Sequence, residues 1–453
     1  MLNSPTQPPQ TAPGSPDMAA CRAMVRERRE YLSTRSQQFQ QVVNLIHFLD
    51  PTLMKLAGNR LRLGAAPGVD RVTPSRYRRN LDHNINQLIT EVQHKSYQPW
   101  PARRVSIPKD DGSLRHLGLP ATRDKHLQGA VLVLLEAIYE PHFYDHSYGF
   151  RPNRSAKKAL RVLLDWIATH DGAWVLEVDL SKFFDTIPHD QLLDAITEKV
   201  GDRVIRHLLH AWLKAGVMDG DVLVPSERGT PQGGVISPLA ANVYLDKALD
   251  QWITGTYLPT LKGEGFLARY ADDFVLCFTD EAECRKAAID VTTRLEEFGL
   301  TVNQKKTKLT DLRKPTMATD PVEKADVNFL GFTLYWTPCP TSGWKLAART
   351  SEKSIERFKE RLESWIDKCG NLPLGDLTDS ISKKVRGHRG YFNVDGNEDR
   401  ILLVEEMART MCEAASELPP LLLVDEQSSL QQLHASVPHE DYGVDCQIGT
   451  QNY

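Results

Sequence analysis

Two adjacent carboxylates, Asp272 and Asp273, separate two apolar runs at residues 265–268 and 274–278. Short apolar runs of this kind are typical of buried strands, so we expect the pair at the turn of a hairpin. Neighbouring like charges raise each other's pKa, and a bound divalent cation removes that cost. Carboxylate oxygens favour Mg²⁺. Taken alone, the four residues 270–273 favour the simpler interpretation of an acidic turn that faces solvent.

A third carboxylate, Asp179, ends another predicted strand about ninety residues upstream. Two-metal phosphoryl transfer needs carboxylates from more than one strand, because they bridge ions ~3.5–4 Å apart. A glycine-rich stretch lies between these strands, at residues 228–238. Its glycines permit close approach of the backbone to a ligand, and Gln232 offers both a donor and an acceptor.

With further motifs in the same order, these residues resemble a reverse transcriptase of the bacterial group II intron-encoded type, a family that includes domesticated, defence-associated relatives. The similarity covers about residues 60–400. One such motif would be weak, whereas an ordered series is specific. The additional motifs lie at residues 106–124 (fingers), 146–155 (a block specific to this lineage), 299–308 (late palm), 329–332 (primer grip) and 386–397 (start of the thumb or maturase region).

The resemblance implies an α+β fold, a right-hand polymerase with fingers and a mixed α/β palm sheet, followed by a helical thumb. Helices are predicted at residues 123–139, 156–168 and 351–369, and the last has apolar residues at helical spacing. The expected organisation is a disordered N-terminal tail at 1–17, N-terminal helices and fingers at 18–170, the palm at 171–340 with fingers elements interleaved near 200–225, a thumb or maturase-like region at 341–400 and an acidic C-terminal tail at 401–453.

The resemblance also assigns the catalytic roles. Asp179 and Asp272 are expected to hold two Mg²⁺ ions, with Mn²⁺ as an alternative ion, and Asp273 to support the metal site. Lys306 is expected to protonate the leaving pyrophosphate as a general acid.

Four residues are expected to contact the nucleotide. Phe184 would lie under the sugar and exclude a 2′-hydroxyl, the alternative being a phenylalanine of the core. Gln232 would line the nucleotide pocket. Lys109 and Arg115 would bind triphosphate oxygens, the alternative being a solvated fingers hairpin.

Nucleic-acid contacts are expected at two further sets of residues. Arg151 and Arg154 would bind template or structured RNA, the alternative being a salt bridge at a helix entry. Basic side chains of the thumb would add to this surface, and the primer grip would hold the primer. The residues concerned are Lys383, Lys384 and Arg386 in the thumb, and Phe329, Leu330 and Gly331 in the grip.

Charge is unevenly distributed along the chain. The 453 residues carry a net charge of −4, but residues 401–453 contain nine acidic residues and one basic residue, which leaves +4 for residues 1–400. Residues 51–120 contain twelve Lys or Arg against five Asp or Glu. Such a basic segment can bind phosphate backbones, although individual arginines can also belong to a solvated helix surface.

Composition limits the cellular setting. No apolar run has the length of a membrane span, and no signal-peptide pattern is present. Seven scattered cysteines form no Cys-x-x-Cys pair, which favours free thiols in a reducing cytoplasm.

The sequence therefore predicts an RNA-directed DNA polymerase that acts with a cognate structured RNA, a DNA primer and dNTPs. The acidic end departs from the family, and no HNH or zinc-ligand pattern follows, so DNA cleavage by the protein is in doubt. This tilts the biological role slightly from intron splicing and retromobility toward antiphage defence with a noncoding RNA. An RNA-binding maturase with little polymerase activity is a further alternative, whereas Phe184 argues against an RNA-templated RNA polymerase. The oligomeric state is not predicted.

Overall fold

The computed structural model describes residues 18–108, 114–316, 327–341, 343–369 and 373–416. The chain divides into two compact units. The first comprises residues 1–107, 116–142 and 192–239, and the second comprises 108–115, 143–191 and 240–453. The predicted tail at 1–17, Lys109 and the segment 417–453 lie outside the described residues. The predicted mixture of helices and sheets is confirmed.

Fourteen α-helices are present in the described segments, in addition to short 3₁₀ and π turns. They are α1 (Met18–Gln38), α2 (Pro51–Arg60), α3 (Pro74–Arg78), α4 (Leu81–Gln93), α5 (Thr122–Tyr139), α6 (Ala156–Thr169), α7 (Phe183–Thr186), α8 (His189–Thr197), α9 (Arg203–Lys214), α10 (Ser237–Leu245), α11 (Glu281–Glu297), α12 (Glu352–Cys369), α13 (Leu374–Phe392) and α14 (Glu398–Ser416). The helices predicted at 123–139, 156–168 and 351–369 are confirmed as α5, α6 and α12.

Eleven strands form three sheets in the same segments. The strand orders are β2-β1-β4-β5, β6-β7-β3-β8 and β11-β10-β9. The strands are β1 (Ala102–Pro108), β2 (Leu114–Leu119), β3 (Trp174–Val178), β4 (Val217–Asp219), β5 (Val222–Val224), β6 (Gly265–Tyr270), β7 (Asp273–Phe278), β8 (Lys308–Asp311), β9 (Val327–Phe329), β10 (Phe332–Cys339) and β11 (Gly343–Thr350).

The first unit is built around α5, which is buried along most of its length. Asp124 in this helix accepts hydrogen bonds from the Tyr97 hydroxyl (2.7 Å) and the Trp100 amide (3.0 Å). Burial raises the pKa of Asp124 to about 6, because the charged form loses water. These bonds compensate the buried carboxyl group and fix α5 against the chain that enters β1.

The second unit contains the sheet β6-β7-β3-β8, which we name the central sheet. All of its neighbouring strands are antiparallel. One face packs on α6 and on the β9–β11 sheet through a continuous apolar cluster that includes Leu163, Val175, Val275 and Phe332. Alternation of side chains along β3 and β7 supplies these inward residues, while the strand ends remain free to carry polar groups.

The C-terminal helices α12, α13 and α14 form a separate apolar cluster, which we name the C-terminal bundle. Ile355 and Leu362 from α12, Ile381 from α13 and Val404 from α14 are buried there. The predicted acidic tail from residue 401 is therefore corrected, since residues 401–416 belong to a packed helix. Buried positions at residues 401, 404, 408 and 412 recur at helical spacing, and the acidic residues occupy the other faces. No helix among the described residues is long and apolar enough to cross a membrane.

Candidate active site

The carboxylates Asp272 and Asp273 lie at the tight turn between β6 and β7. Tyr270 pairs with Asp273, so Ala271 and Asp272 are the two turn residues. Ala271 is buried and has a φ of 57°. A left-handed conformation costs a residue with a Cβ about 1–2 kcal/mol, so the surrounding structure must hold this turn in place.

Asp179 reaches the same end of the central sheet from β3. Val178 pairs with Phe274, which places Asp179 one residue beyond the last pair and next to Asp273. The amide of Asn303 donates to the Asp179 carbonyl oxygen (2.7 Å), and the amide of Asp179 donates to the Thr307 hydroxyl (3.4 Å). The register of β3 and β7 thus brings together the three carboxylates that the sequence indicates.

Electrostatics distinguish these carboxyl groups from ordinary surface acids. Desolvation by the surrounding protein raises the pKa of Asp273 to about 7, and the charge of Asp272 adds to this. Desolvation is also the largest cause of the raised pKa of Asp272, and the charge of Asp179 raises it further. The charge of Arg115 opposes this shift, because it favours the ionised carboxylate. Asp273 nevertheless stays exposed and Asp272 half-buried. Crowded carboxylates that remain open to solvent are accessible to a cation.

The donor set fits a divalent metal ion shared with a substrate. Among the described residues, no group of three or more His, Cys, Asp or Glu side chains already forms a metal cage. Mg²⁺ does not require one, because it usually binds one or two carboxylates together with phosphate oxygens and water. Asp179 and Asp272 are close enough for their charges to interact unfavourably, and a bound cation would relieve this.

A fully buried arginine, Arg269, supports the turn between β6 and β7. Its guanidinium donates to the carbonyl oxygen of Ala271 (3.1 Å) and to Asn242 Oδ1 (3.1 Å). It also donates to Ser147 Oγ (2.7 Å) and forms an ion pair with Asp250, whose side chain is equally inaccessible. These bonds converge on Arg269, two residues before Ala271, and one of them reaches the turn itself. The network therefore fixes the turn that presents Asp272.

Gly149 completes this support from the segment 146–149. The Tyr148 amide donates to the Arg269 carbonyl oxygen (2.8 Å), and Asn242 Nδ2 donates to the Gly149 carbonyl oxygen (2.7 Å). A Cβ at Gly149 would lie 2.4 Å from the Ala271 nitrogen. Only glycine permits this close approach, which gives a structural reason for the glycine in the block at 146–155.

The sequence did not predict this network, although one signal for it exists. Arg269 interrupts the apolar run of β6 at a position whose side chain faces the interior. A lone charged residue at such a position requires a buried partner. Asp250 and Asn242 lie too far along the chain to be identified as partners by spacing.

A second tight turn, which joins β9 to β10, lies close to Asp273. Phe329 pairs with Phe332, so Leu330 and Gly331 form a two-residue loop. Both have positive φ, at 53° and 81°, as a type I′ hairpin requires. The main chain of Leu330 favours the charged form of Asp273, which works against the rise in the pKa of that carboxyl group. The three residues predicted as a primer grip therefore lie beside the candidate metal site.

Phe184 and Lys306 occupy the same unit as the carboxylates. Phe184 is buried in the short helix α7, edge-on to Phe183 at 5.2 Å between ring centroids. Lys306 is exposed, in a turn where its amide donates to the Asn303 carbonyl oxygen (3.1 Å). Their roles in sugar selection and proton transfer stay predictions.

Gln232 lies in the first unit and is half-buried. The main-chain carbonyl oxygen of Gln232 accepts a hydrogen bond from the Gly118 amide (2.8 Å). This bond fixes the glycine-rich loop against β2. Its role toward a nucleotide stays a prediction. Arg115 is exposed in β2. Its positive charge partly opposes the rise in the pKa of Asp272, as expected for a cation near the site.

The arginines predicted to bind RNA are engaged with their own loop. Arg151 is 7% exposed and donates to the carbonyl oxygens of Tyr144 (2.6 Å) and Ser147 (2.7 Å). The prediction of RNA binding by Arg151 is therefore corrected, because these bonds occupy a buried guanidinium. Arg154 forms a salt bridge with Asp145, the alternative anticipated from the sequence.

The basic residues predicted in the thumb lie along α13. Lys383 and Arg386 are exposed, while Lys384 is half-buried with its ammonium 4.7 Å from the centroid of the Trp365 ring. Lys383 and Arg386 are thus available to a phosphate backbone, and Lys384 has a cation–π contact within the bundle.

Comparison with known proteins assigns the class of this fold and site. Residues 107–334, half of the chain, match the family model described as reverse transcriptase (RNA-dependent DNA polymerase). The chain belongs to this family, and its relatives include group II intron-encoded proteins.

Three relatives illustrate the similarity. Protein YkfC of Escherichia coli (strain K12) is 43% identical over 196 residues, covering 42% of this chain and 51% of that protein. Group II intron-encoded protein LtrA of Lactococcus lactis subsp. cremoris is 39% identical over 174 residues, covering 38% and 28%. The putative COX1/OXI3 intron 1 protein of Saccharomyces cerevisiae is 28% identical over 384 residues, covering 73% and 43%. The chain thus spans about half or less of each relative's length.

Proposed function

We propose that the chain is an RNA-directed DNA polymerase that adds deoxynucleotides to a primer 3′-hydroxyl on an RNA template. The observation that carries the proposal is the register of β3, β6 and β7, which sets Asp179 beside the Asp272–Asp273 pair. Membership of the reverse transcriptase family supports the same chemistry. In this proposal the first unit supplies the fingers, the central sheet is the palm and the C-terminal bundle is the thumb.

The residues of the second unit have distinct roles in the proposed reaction. Asp179 and Asp272 would hold two Mg²⁺ ions, or Mn²⁺, and Asp273 would support them. When bound, such ions lower the pKa of the attacking hydroxyl and stabilise charge on the triphosphate and the leaving pyrophosphate. Phe184 would exclude a 2′-hydroxyl by occupying its space. Lys306 would give a proton to the leaving pyrophosphate.

Primer extension tests the activity. The purified chain is expected to extend a DNA primer on poly(rA) with dTTP in the presence of Mg²⁺, and to stop when the metal is chelated. Incorporation of UTP in place of dTTP should be much weaker. Absence of extension with either Mg²⁺ or Mn²⁺, at protein concentrations that bind the primer–template, would contradict the proposal.

The biological partner is proposed to be a structured RNA that the chain binds in the cytoplasm. An intron RNA and a noncoding RNA of an antiphage system are the two candidates. Sequencing of RNA and DNA that co-purify with the protein separates them. Intron ribozyme sequences would support splicing and mobility, whereas a single short noncoding RNA would support defence.

A maturase with little polymerase activity is the second candidate function. The chain is 32% identical over 143 residues to a protein named nuclear intron maturase 4, mitochondrial, of Arabidopsis thaliana. This similarity supports a maturase as the alternative function. The register that brings together the carboxylates at 179, 272 and 273 argues for chemistry as well as binding. Tight RNA binding without primer extension would select the maturase.

A further inference from the structure

Helix α9 carries a row of exposed basic side chains, which we name the α9 stripe. The helix contains no Asp or Glu. Its exposed positions recur three or four residues apart, so they lie along one face of the helix. At roughly 1.5 Å of rise per residue, this face is about 16 Å long. The residues of the stripe are Arg203, Arg206, His207, His210 and Lys214.

The opposite face of α9 is anchored in the first unit. The side chain of Asp202 caps the helix by accepting from the amides of Val204 (2.8 Å) and Ile205 (3.1 Å). Near the other end, the buried indole of Trp212 donates to the Tyr97 hydroxyl (2.9 Å). The stripe is therefore presented on a fixed helix, and a partner that binds it has little backbone to order.

The charges of the α9 stripe are not balanced within the described part of the chain. None of its five side chains forms an ion pair or a hydrogen bond with another described residue. Like charges three or four residues apart repel and weaken a helix. Arg203 also lies at the N-terminal end, where the helix dipole disfavours a cation. A bound polyanion would relieve both effects.

Helix α11 of the same chain has the opposite arrangement. Arg285 pairs with Glu281 and Lys286 pairs with Asp290, each across one turn of the helix. An ordinary solvated surface helix thus carries its own counterions. The α9 stripe lacks them, which indicates that its charge serves an external partner.

We propose that the α9 stripe binds the phosphate backbone of a structured RNA. Charge complementarity identifies the class of partner, because an unbalanced row of cations matches a row of phosphates, and arginine binds phosphate oxygens through paired donors. Double-helical RNA is recognised mainly by its shape and its phosphates. The inference rests on the proposed function for the identity of the polyanion as RNA.

The test removes two permanent charges from the stripe. The double variant Arg203→Gln, Arg206→Gln keeps residues that favour a helix. The matched control, Arg285→Gln, Lys286→Gln, makes the same change in net charge on α11, where both cations are paired. A conservative variant, Arg203→Lys, Arg206→Lys, retains the charge of the stripe.

The measurement is fluorescence anisotropy of a labelled RNA hairpin, titrated with the full chain at several salt concentrations. The stem has about 16 base pairs, the length that one double-stranded-RNA-binding domain spans. The α9 glutamine variant should reduce the slope of log affinity against log salt by about 1.5, since each phosphate contact contributes roughly 0.7–0.9. At about 0.1 M salt its Kd should rise about tenfold or more.

The other variants and thermal melting complete the experiment. The α11 control should bind the hairpin as wild type does, and the lysine variant should retain most of the affinity. The α9 glutamine variant should melt no lower than wild type, because it removes a cation that the helix dipole disfavours. Loss of binding in a stable variant then cannot be attributed to unfolding.

Each outcome decides the inference. Equal slopes for the α9 glutamine variant and wild type would overturn it and leave the polymerase proposal intact. Equal losses in the α9 and α11 variants would also overturn it, because net charge would then determine affinity. Binding of poly-L-glutamate that depends on both arginines, with hairpin binding unchanged, would assign the surface to an acidic polypeptide instead. Hairpin binding through the stripe in a chain that never extends a primer would support the inference and contradict the polymerase proposal.

Discussion

Asp246 is a buried carboxyl group that titrates near neutrality. It is 7% exposed, burial raises its pKa to about 7, and the charge of Asp250 adds to this shift. An acid whose pKa is higher in the folded state disfavours folding once it is ionised. The destabilisation is therefore complete above the folded pKa and disappears as the pH falls toward the unfolded value of 3.8.

The variant Asp246→Asn should consequently raise the melting temperature at pH 8 and raise it much less at pH 4.5. The shift per kcal/mol is expected to be smaller than the value of about 2–4 °C for domains of roughly 150–250 residues, because the entropy of unfolding grows with chain length. Thermal melting at both pH values checks this, with the exposed Asp367→Asn as control. A variant less stable than wild type at pH 8 would show that the hydrogen bond from Gln251 outweighs the desolvation of the charge.

Phe184 offers a prediction about sugar selection. Replacement by alanine removes the ring expected to occupy the space of a 2′-hydroxyl, so discrimination between dNTP and rNTP should fall by about tenfold or more. The ratio of kcat/KM values for dTTP and UTP on one RNA template measures this. Phe183→Ala is a matched control, since that buried ring lies beside Phe184 in the same helix. An unchanged ratio in Phe184→Ala would assign the residue to the core alone.

At the scale of elements, the central sheet depends on the ion pair between Arg269 and Asp250. Both side chains are inaccessible to solvent. Replacing Arg269 by methionine leaves a buried charge without its partner, which should destabilise the fold by about 3–5 kcal/mol. Urea unfolding measures the loss.

The matched control is Arg285→Met on α11. Arg285 forms an exposed i,i+4 pair with Glu281, and exposed helix pairs of this kind contribute only about 0.3–0.5 kcal/mol. Equal effects of the two substitutions would mean that the buried ion pair does not stabilise the central sheet.

Elements with a local signal could be predicted from the sequence, and those that depend on distant partners could not. The strands around Asp179 and the Asp272–Asp273 pair alternate apolar runs with short acidic turns, and their register confirms that the three carboxylates share one end of the sheet. Helices α6 and α12 bury residues at helical spacing, whereas α5 is buried along most of its length.

Three features could not be predicted from the sequence, each for a different physical reason. The partners of Arg269 come from segments near residues 147, 242 and 250, and spacing along the chain cannot reveal such convergence. Helix α14 could not be predicted from the average acidity of residues 401–453, because that average does not show that apolar residues recur at helical spacing within residues 398–416. Arg151 was assigned to RNA from its charge, whereas burial decides that it bonds to the main chain.

At the scale of the whole molecule, a net charge of −4 does not prevent binding of RNA if basic residues are concentrated locally. Lys383 and Arg386 are exposed on α13. Each contact with a phosphate that is lost should reduce the slope of log affinity against log salt by roughly 0.7–0.9. The double variant Lys383→Gln, Arg386→Gln should therefore flatten the slope by about 1.5.

Filter binding of the primer–template at several salt concentrations measures this slope. The control is Lys286→Gln, because Lys286 is exposed on α11 and is paired with Asp290. An identical slope for the double variant and wild type would exclude α13 from the nucleic-acid surface.

We propose that Asp179, Asp272 and Asp273 form a metal-dependent polymerase centre. The most direct measurement is the rate of Mg²⁺-dependent primer extension on poly(rA) by Asp179→Ala, Asp272→Ala and Asp273→Ala, with Asp367→Ala as an exposed control. We predict that Asp179→Ala and Asp272→Ala lose about 10²-fold or more, the scale of removing a single preorganised electrostatic group. Asp273→Ala should also fall to near background, while all variants keep the wild-type melting behaviour and RNA affinity. Extension by Asp179→Ala or Asp272→Ala at near wild-type rate would contradict the account.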